Sequence, residues 1–170
     1  MTAIAGKASG RVLDPIERVS EVIFGVLMAM TFIGTLNVAA AGREEARTVM
    51  LAALGCNVAW GLVDAVMYVV AILTERTREG APERLGARDL KGALGVFLLV
   101  TASTFPLVLP FLAFRDLATA LLASRLIAIA ILFLGGWMLA RHAGGRVWLG
   151  GTAMAGVGAV LFGALMALGG

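Results

Sequence analysis

The sequence predicts an all-α, polytopic membrane protein of five transmembrane helices, and three observations carry that expectation. Of 170 residues 60% are apolar and 22 are glycine, and the mean hydropathy is +0.94, which no ordinary water-soluble domain of this size shows. Charged residues make up 15% of the chain and gather in short clusters. Between the clusters stand apolar runs of roughly 20 residues or more, the length a hydrocarbon core demands of a helix.

The runs are Val19 to Ala41, Thr48 to Leu73, Leu90 to Phe114, Leu117 to Ala140 and Val147 to Leu168, and they form one membrane domain over residues 1–170. Ahead of the first run, Asp14-Pro15-Ile16-Glu17 has the pattern of a helix start. Asp14 can cap, Pro15 suits the first helical position, and Glu17 stands where a capping box closes back. The run that follows is too long for a cleavable signal and lacks a small-residue cleavage pattern. The second run carries Asn57 and Asp64 seven residues apart, hence on one helix face, with Trp60, Met67 and Tyr68 flanking. The third reads Thr101-Ala102-Ser103-Thr104-Phe105-Pro106, then Pro110; Pro106 leaves the Ala102 carbonyl without its helical partner among hydroxyls. The fourth holds Arg125 near its midpoint. In the fifth, Gly151, Ala155, Ala159, Gly163 and Ala167 recur every four residues, which predicts a small-residue packing face.

Basic residues are distributed unevenly between the two ends of these runs. Lys7, Arg11, Arg18, Arg76, Arg78, Arg84, Arg88, Lys91, Arg141 and Arg146 fall on one side, against Arg43, Arg47 and Arg115 on the other. The positive-inside rule therefore predicts a cytoplasmic N-terminus and an external C-terminus. The pI near 9.8 is on this reading a topology signal, and nucleic acid is not an expected partner. The lone Cys56 excludes an intramolecular disulfide. His142 ends the fourth run, where a cation favours a helix C-terminus. Nucleotide-binding and zinc-protease patterns are missing from the sequence, as is a recognisable nucleophile and base, so an enzyme is not expected.

Chemistry in such a chain is sought where polar groups enter the membrane, since each is costly unless it faces protein or water. Glu17 and Glu21 lie four residues apart on one face of the first helix, a face that continues through Met28, Thr31 and Thr35. Two readings stay open: acids solvated at a helix N-terminus, or a mouth that collects cations. Met28 and Met67 can be packing or thioether ligands of a moderately soft ion. Asp64, deep in the second run, needs a cation, a proton or a partner, and Arg125 at similar depth is the candidate partner.

The stretch Glu21-Val22-Ile23-Phe24-Gly25-Val26, the second-run segment ending in Gly61 with its polar stripe, and Thr104-Phe105-Pro106-Leu107-Val108-Leu109-Pro110-Phe111 resemble the vacuolar iron transporter family. The resemblance covers most of the chain from Asp14 onward. It implies five helices, a cytoplasmic N-terminus, a homodimer, and exchange of Fe²⁺ or Mn²⁺ for protons, here in a short bacterial-like member of the inner (plasma) membrane. The glutamate-rich metal-collecting domain that some members carry between spans two and three has no room in Thr74 to Asp89, where Glu75, Glu79 and Glu83 alternate with arginines; a solvated connector is expected there. Glu21 matches the family's first acid, but Met28 and Ala29 stand where an aspartate and a glycine follow it. Asn57 and Ala65 stand near the second-span acid and methionine, with Asp64 and Met67 close by. For a transporter of this type the expected metal ligands are Glu17, Glu21, Met28, Asn57, Asp64 and Met67, with Asp64 and Glu21 as the proton-coupling groups, Asp64 taking the place of the missing carboxylate from the neighbouring helix. Ser103, Thr104, Pro106, Pro110 and Arg125 would shape the path. No cofactor is expected beyond the transported ion, and the partners are the bilayer, divalent cations and protons. A non-transporting scaffold that keeps the fold is the alternative; it predicts an Asp64–Arg125 ion pair and no cation-accessible cavity.

Overall fold

The structure, a computed structural model, describes residues 13–36, 42–80 and 84–168. Lys7, Arg11, Glu83 and the 37–41 end of the first apolar run lie outside the described residues. All regular structure among the described residues is helical: α1 (Pro15–Gly34), α2 (Arg43–Arg78), α3 (Ala87–Ala102), α4 (Phe105–Ala113), α5 (Leu117–His142) and α6 (Val147–Ala167). Among the described residues four helices are long and apolar enough to cross a membrane: α2, the interrupted pair α3 and α4 taken as one unit, α5 and α6.

The capping box forms as the sequence predicts. The Ile16 N–H donates to Asp14 Oδ1 and the Asp14 N–H to Glu17 Oε2, each at 2.9 Å. The helix so started ends earlier than the expected Ala41. Gly34 and Thr35 are poor helix formers, and the Thr35 hydroxyl turns back onto the Phe32 carbonyl at 2.7 Å. Helix α1 carries Glu17, Arg18 and Glu21 in its first two turns. It is also the central one, packed against each of the other five, with Val26, Ala29, Met30 and Ile33 wholly buried. Its polar start is tolerable because the other helices, rather than lipid, surround most of its length.

Helix α2 has 36 residues, about 54 Å at the α-helical rise, so its polar ends extend past any hydrocarbon core of about 30 Å. Residues 74–78 continue this helix, and most of the described residues from Thr74 to Arg88 are exposed. Arg76 closes the corner: its Nη2 reaches both Asp89 oxygens at 2.8 Å and its Nη1 the Arg84 carbonyl at 2.6 Å. Along the outer face of α2, Leu51, Leu62, Val66 and Met67 are exposed, as lipid contact requires and water would penalise.

The third run is two helices because proline removes donors at two successive turns. Neither Pro106 nor Pro110 has an N–H for the carbonyl four residues before it. The chain steps at Ser103 and Thr104, and the Leu107 and Val108 N–H groups restart the ladder on the Thr104 carbonyl at 3.1 and 3.2 Å. Asp116 then caps α5, accepting from the Thr119 hydroxyl at 2.6 Å and its N–H at 2.8 Å; these bonds hold the carboxyl below the usual carboxylate range. At the other end of α5, His142 Nδ1 lies 2.7 Å from the Met138 carbonyl.

Helices α5 and α6 form the closest pair. A Cβ on Gly136 would stand 2.3 Å from the Gly150 carbonyl oxygen, so only glycine lets the backbones meet there. The contact face of α6 is Gly151, Gly158 and Phe162, whereas Ala159, Gly163 and Ala167 face outward. This corrects the expected packing face. A four-residue repeat drifts about 40° per step on a helix of 3.6 residues per turn, so a stripe from Gly151 to Ala167 sweeps roughly 160° and cannot stay against one neighbour. Where α5 turns into α6, Trp137 and Trp148 stack with ring centroids 5.9 Å apart beside Phe133, a grouping suited to the membrane–water boundary.

Candidate functional site

The polar residues of α1, α2 and α3 meet where the third run breaks. Gly25 makes the meeting possible: a Cβ there would lie 2.0 Å from Ser103 Oγ and 2.7 Å from the Val100 carbonyl oxygen. Through that close approach Asn57, wholly buried, donates from Nδ2 to the Gly25 carbonyl at 2.8 Å and to the hydroxyl of Thr104, which is wholly buried too. The Ser103 hydroxyl donates to the Val100 carbonyl at 2.6 Å. One helix from each side is thus tied to the step in the third. Asn57 Oδ1 and Thr101 Oγ1 are buried beside this knot without a hydrogen-bond partner, so the knot retains free acceptor capacity in a low-dielectric interior.

Asp64 lies two turns along α2 from Asn57 and is half-buried; its Oδ2 is buried with no hydrogen-bond partner. Glu21, half-buried on α1, feels the charges of both Asp64 and Glu17, which sets the three acids along one seam. Tyr68, one turn beyond Asp64, packs on Gly92 of α3 and feels the charges of Glu17 and Asp89. A polar line therefore runs from Glu17 through Glu21 and Asp64 to Asn57 and Thr104, with α1 on one side and α2 and α3 on the other.

The other candidate residues are dispersed. Met28 is half-buried on α1, with its carbonyl accepting the Thr31 hydroxyl at 2.7 Å. Met67 is 56% exposed on the outer face of α2, turned away from the buried Asn57 stripe. Pro106 and Pro110 act through the break itself, Pro110 buried and Pro106 partly so. Arg125 stands on α5 against α6, its Cζ 5.6 Å from the centre of the Phe162 ring. The ion pair with Asp64 that the scaffold alternative predicts does not form: among the described residues the ion pairs are Arg76–Asp89 and Arg78–Glu75. Equal depth along two helices did not bring them together, because α1 is packed between α2 and α5.

Among the described residues no three of His, Cys, Asp and Glu gather into a group able to hold a metal ion. Within one chain, Glu21 and Asp64 offer carboxylates to the seam, and Asn57 and Thr101 offer neutral oxygens. Cavities open at the two ends of the bundle, one of about 260 Å³ beside the starts of α2 and α5 and one of about 330 Å³ between Leu13, Arg18 and Lys91; Asp64 lines neither. Sequence reasoning passed over Ser124 of α5, whose buried hydroxyl donates to the Leu107 carbonyl at 2.8 Å and braces the restarted helix. A hydroxyl inside an apolar run was its only signal. No family model, curated protein or solved structure matches the chain.

Proposed function

We propose that this protein is a proton-coupled divalent cation transporter, with five membrane-spanning helices, a cytoplasmic N-terminus and the seam of α1, α2 and α3 as its ion path. The observation that carries the reading is Asp64 on this seam: among the described residues nothing satisfies its buried Oδ2, and its charge reaches Glu21 on the facing helix. A cation or a proton stabilises neighbouring half-buried acids, and competition between the two for one site is the minimum equipment of an exchanger. Glu17 and Glu21 form the mouth at the basic, cytoplasmic end, Asp64 the exchange site, and the Asn57–Thr104 knot at the helix break the inner limit of the path. Interrupted helices serve ion sites in this way because their free carbonyls and hydroxyls replace water.

The resemblance to the vacuolar iron transporters supplies the ions, Fe²⁺ or Mn²⁺ leaving the cytoplasm against entering protons, and the bacterial plasma membrane as location. It also supplies the homodimer, which the ligand count supports: two acids of one chain fall short of a divalent site, and a second chain can complete it. The scaffold reading lacks the ion pair it predicts, while its second expectation agrees with Asp64 lining neither described cavity; it is the reading that a transport-silent protein would favour.

The test is uptake of Fe²⁺ and Mn²⁺ into proteoliposomes under an imposed pH gradient, comparing the unmodified protein with Asp64→Asn and Arg125→Met. Uptake that needs the gradient, fails in Asp64→Asn and survives in Arg125→Met is the expected result. A correctly folded protein that moves neither ion sinks the proposal in favour of the scaffold.

A further inference from the structure

The seam leaves three arginines without a role. Arg43, Arg47 and Arg115 are the only basic residues in positions 35–49 and 114–116 of the sequence, and all three line the one cavity of about 260 Å³ beside the starts of α2 and α5. None of the ion pairs among the described residues uses them. Glu44 lines the cavity as well, while Glu45 is engaged by the Gly42 N–H and Asp116 by Thr119. The first turns of α2 and α5 add the positive ends of two helix dipoles to the three guanidinium groups.

The opposite wall is apolar. Met50, Phe111 and Leu117 line it, and it opens onto Leu112, which is 74% exposed. The cavity sits where the apolar runs of α2, α4 and α5 end and the charged turns begin, the depth at which lipid headgroups lie. A free phosphate would meet the guanidinium forks and leave the apolar wall bare; an anion carrying its own hydrocarbon chain satisfies both.

We infer that this cavity is a binding site for the phosphate headgroup of an anionic phospholipid, held by Arg43, Arg47 and Arg115 with its acyl chain along Met50 and Leu112. The site stands at the end of the bundle that is poor in basic residues, so it is separate from the general attraction of the basic end for anionic lipid.

The test is native mass spectrometry of the full-length protein from detergent, titrated with phosphatidylglycerol, with phosphatidylcholine of the same chains, and with inorganic phosphate. Phosphatidylglycerol is expected to bind in preference to both. Arg47→Gln and Arg115→Gln are each expected to weaken it about fivefold, the loss of one arginine at a membrane surface, while Arg18→Gln with Lys91→Gln at the other end leaves this site unchanged. Only variants that melt with the unmodified protein in lipid-free detergent are compared, and Arg43→Gln stands in for one that does not. Equal binding of the two lipids, loss in the Arg18 and Lys91 variant instead, or inorganic phosphate that binds as tightly as the lipid overturns the assignment.

Discussion

Replacing Gly25 with alanine tests whether the knot of α1, α2 and α3 is as tight as its geometry states. The new Cβ would stand 2.0 Å from Ser103 Oγ and 2.7 Å from the Val100 carbonyl oxygen. The Ser103 side chain can rotate, but the carbonyl belongs to a helix and cannot. Restoring an ordinary contact of 3.4 Å to it requires α1 to move off α3 by about 0.7 Å. Asn57 stands on α2, so that shift lengthens its 2.8 Å bond to Gly25 by at most about 0.7 Å, to the limit of a hydrogen bond. Overpacking of this kind costs about 2 kcal/mol, and the loosened interhelical bond adds about 0.6 kcal/mol. Alanine's better helix propensity returns up to about 1 kcal/mol, leaving a net loss of roughly 1.5 kcal/mol. The assay is reversible unfolding in mixed micelles followed by tryptophan fluorescence, to which Trp60 contributes from its edge-on contact with Phe24 at 6.0 Å. Gly156→Ala is the internal control, since nothing lies within 4 Å of its added Cβ; it should be neutral or more stable. Adding Ser103→Ala to Gly25→Ala should recover part of the loss and no more, because the carbonyl contact stays. A Gly25→Ala protein as stable as the unmodified one would show that the helices do not approach as described.

The other predictions concern the ends of helices. Arg76→Ala removes a forked contact to Asp89 that is partly shielded from water and is expected to cost about 1 kcal/mol, an effect that shrinks as salt is raised; Arg76→Lys should recover only part of it, because lysine lacks the fork. If Arg76→Ala unfolds at the same denaturant concentration as the unmodified protein, the corner contributes nothing. Asp116, held below the ordinary carboxylate range by Thr119, contributes stability that is present above the unfolded-state value and is lost as pH falls through the folded one. Thermal unfolding of Asp116→Asn should therefore lose less on acidification than the unmodified protein, and parallel curves would contradict the cap.

Much of this fold is written locally. The starts of α5 and α6 at Leu117 and Val147 fall where the apolar runs begin, because a charged cluster followed by an apolar run leaves a helix in lipid no other place to start. The capping box at Asp14 formed because all its partners lie within one turn. Seven-residue spacing put Asn57 and Asp64 on one side of α2, and Pro106 pointed to a freed carbonyl where the third run, expected as one span, breaks into two helices. Expectations that depended on which helix neighbours which fared differently. The Asp64–Arg125 pair was drawn from depth alone, and depth does not fix azimuth or adjacency. The small-residue stripe of α6 was drawn from a period of four, and the helix turns at 3.6.

By itself, then, the sequence determined a chain of long apolar helices, where most of them begin, and which polar residues enter the apolar runs, since backbone hydrogen bonding and transfer from water act over a single turn or a single segment. Only the tertiary structure decided that α1 lies at the centre, that Gly25 admits Asn57 to the break beside Thr104, that Glu21 rather than Arg125 is the charge near Asp64, and that Arg115 shares one cavity with Arg43 and Arg47 of α2. Those facts are contacts between segments, set by which side-chain faces interlock when helices pack, and no local pattern of residues specifies them.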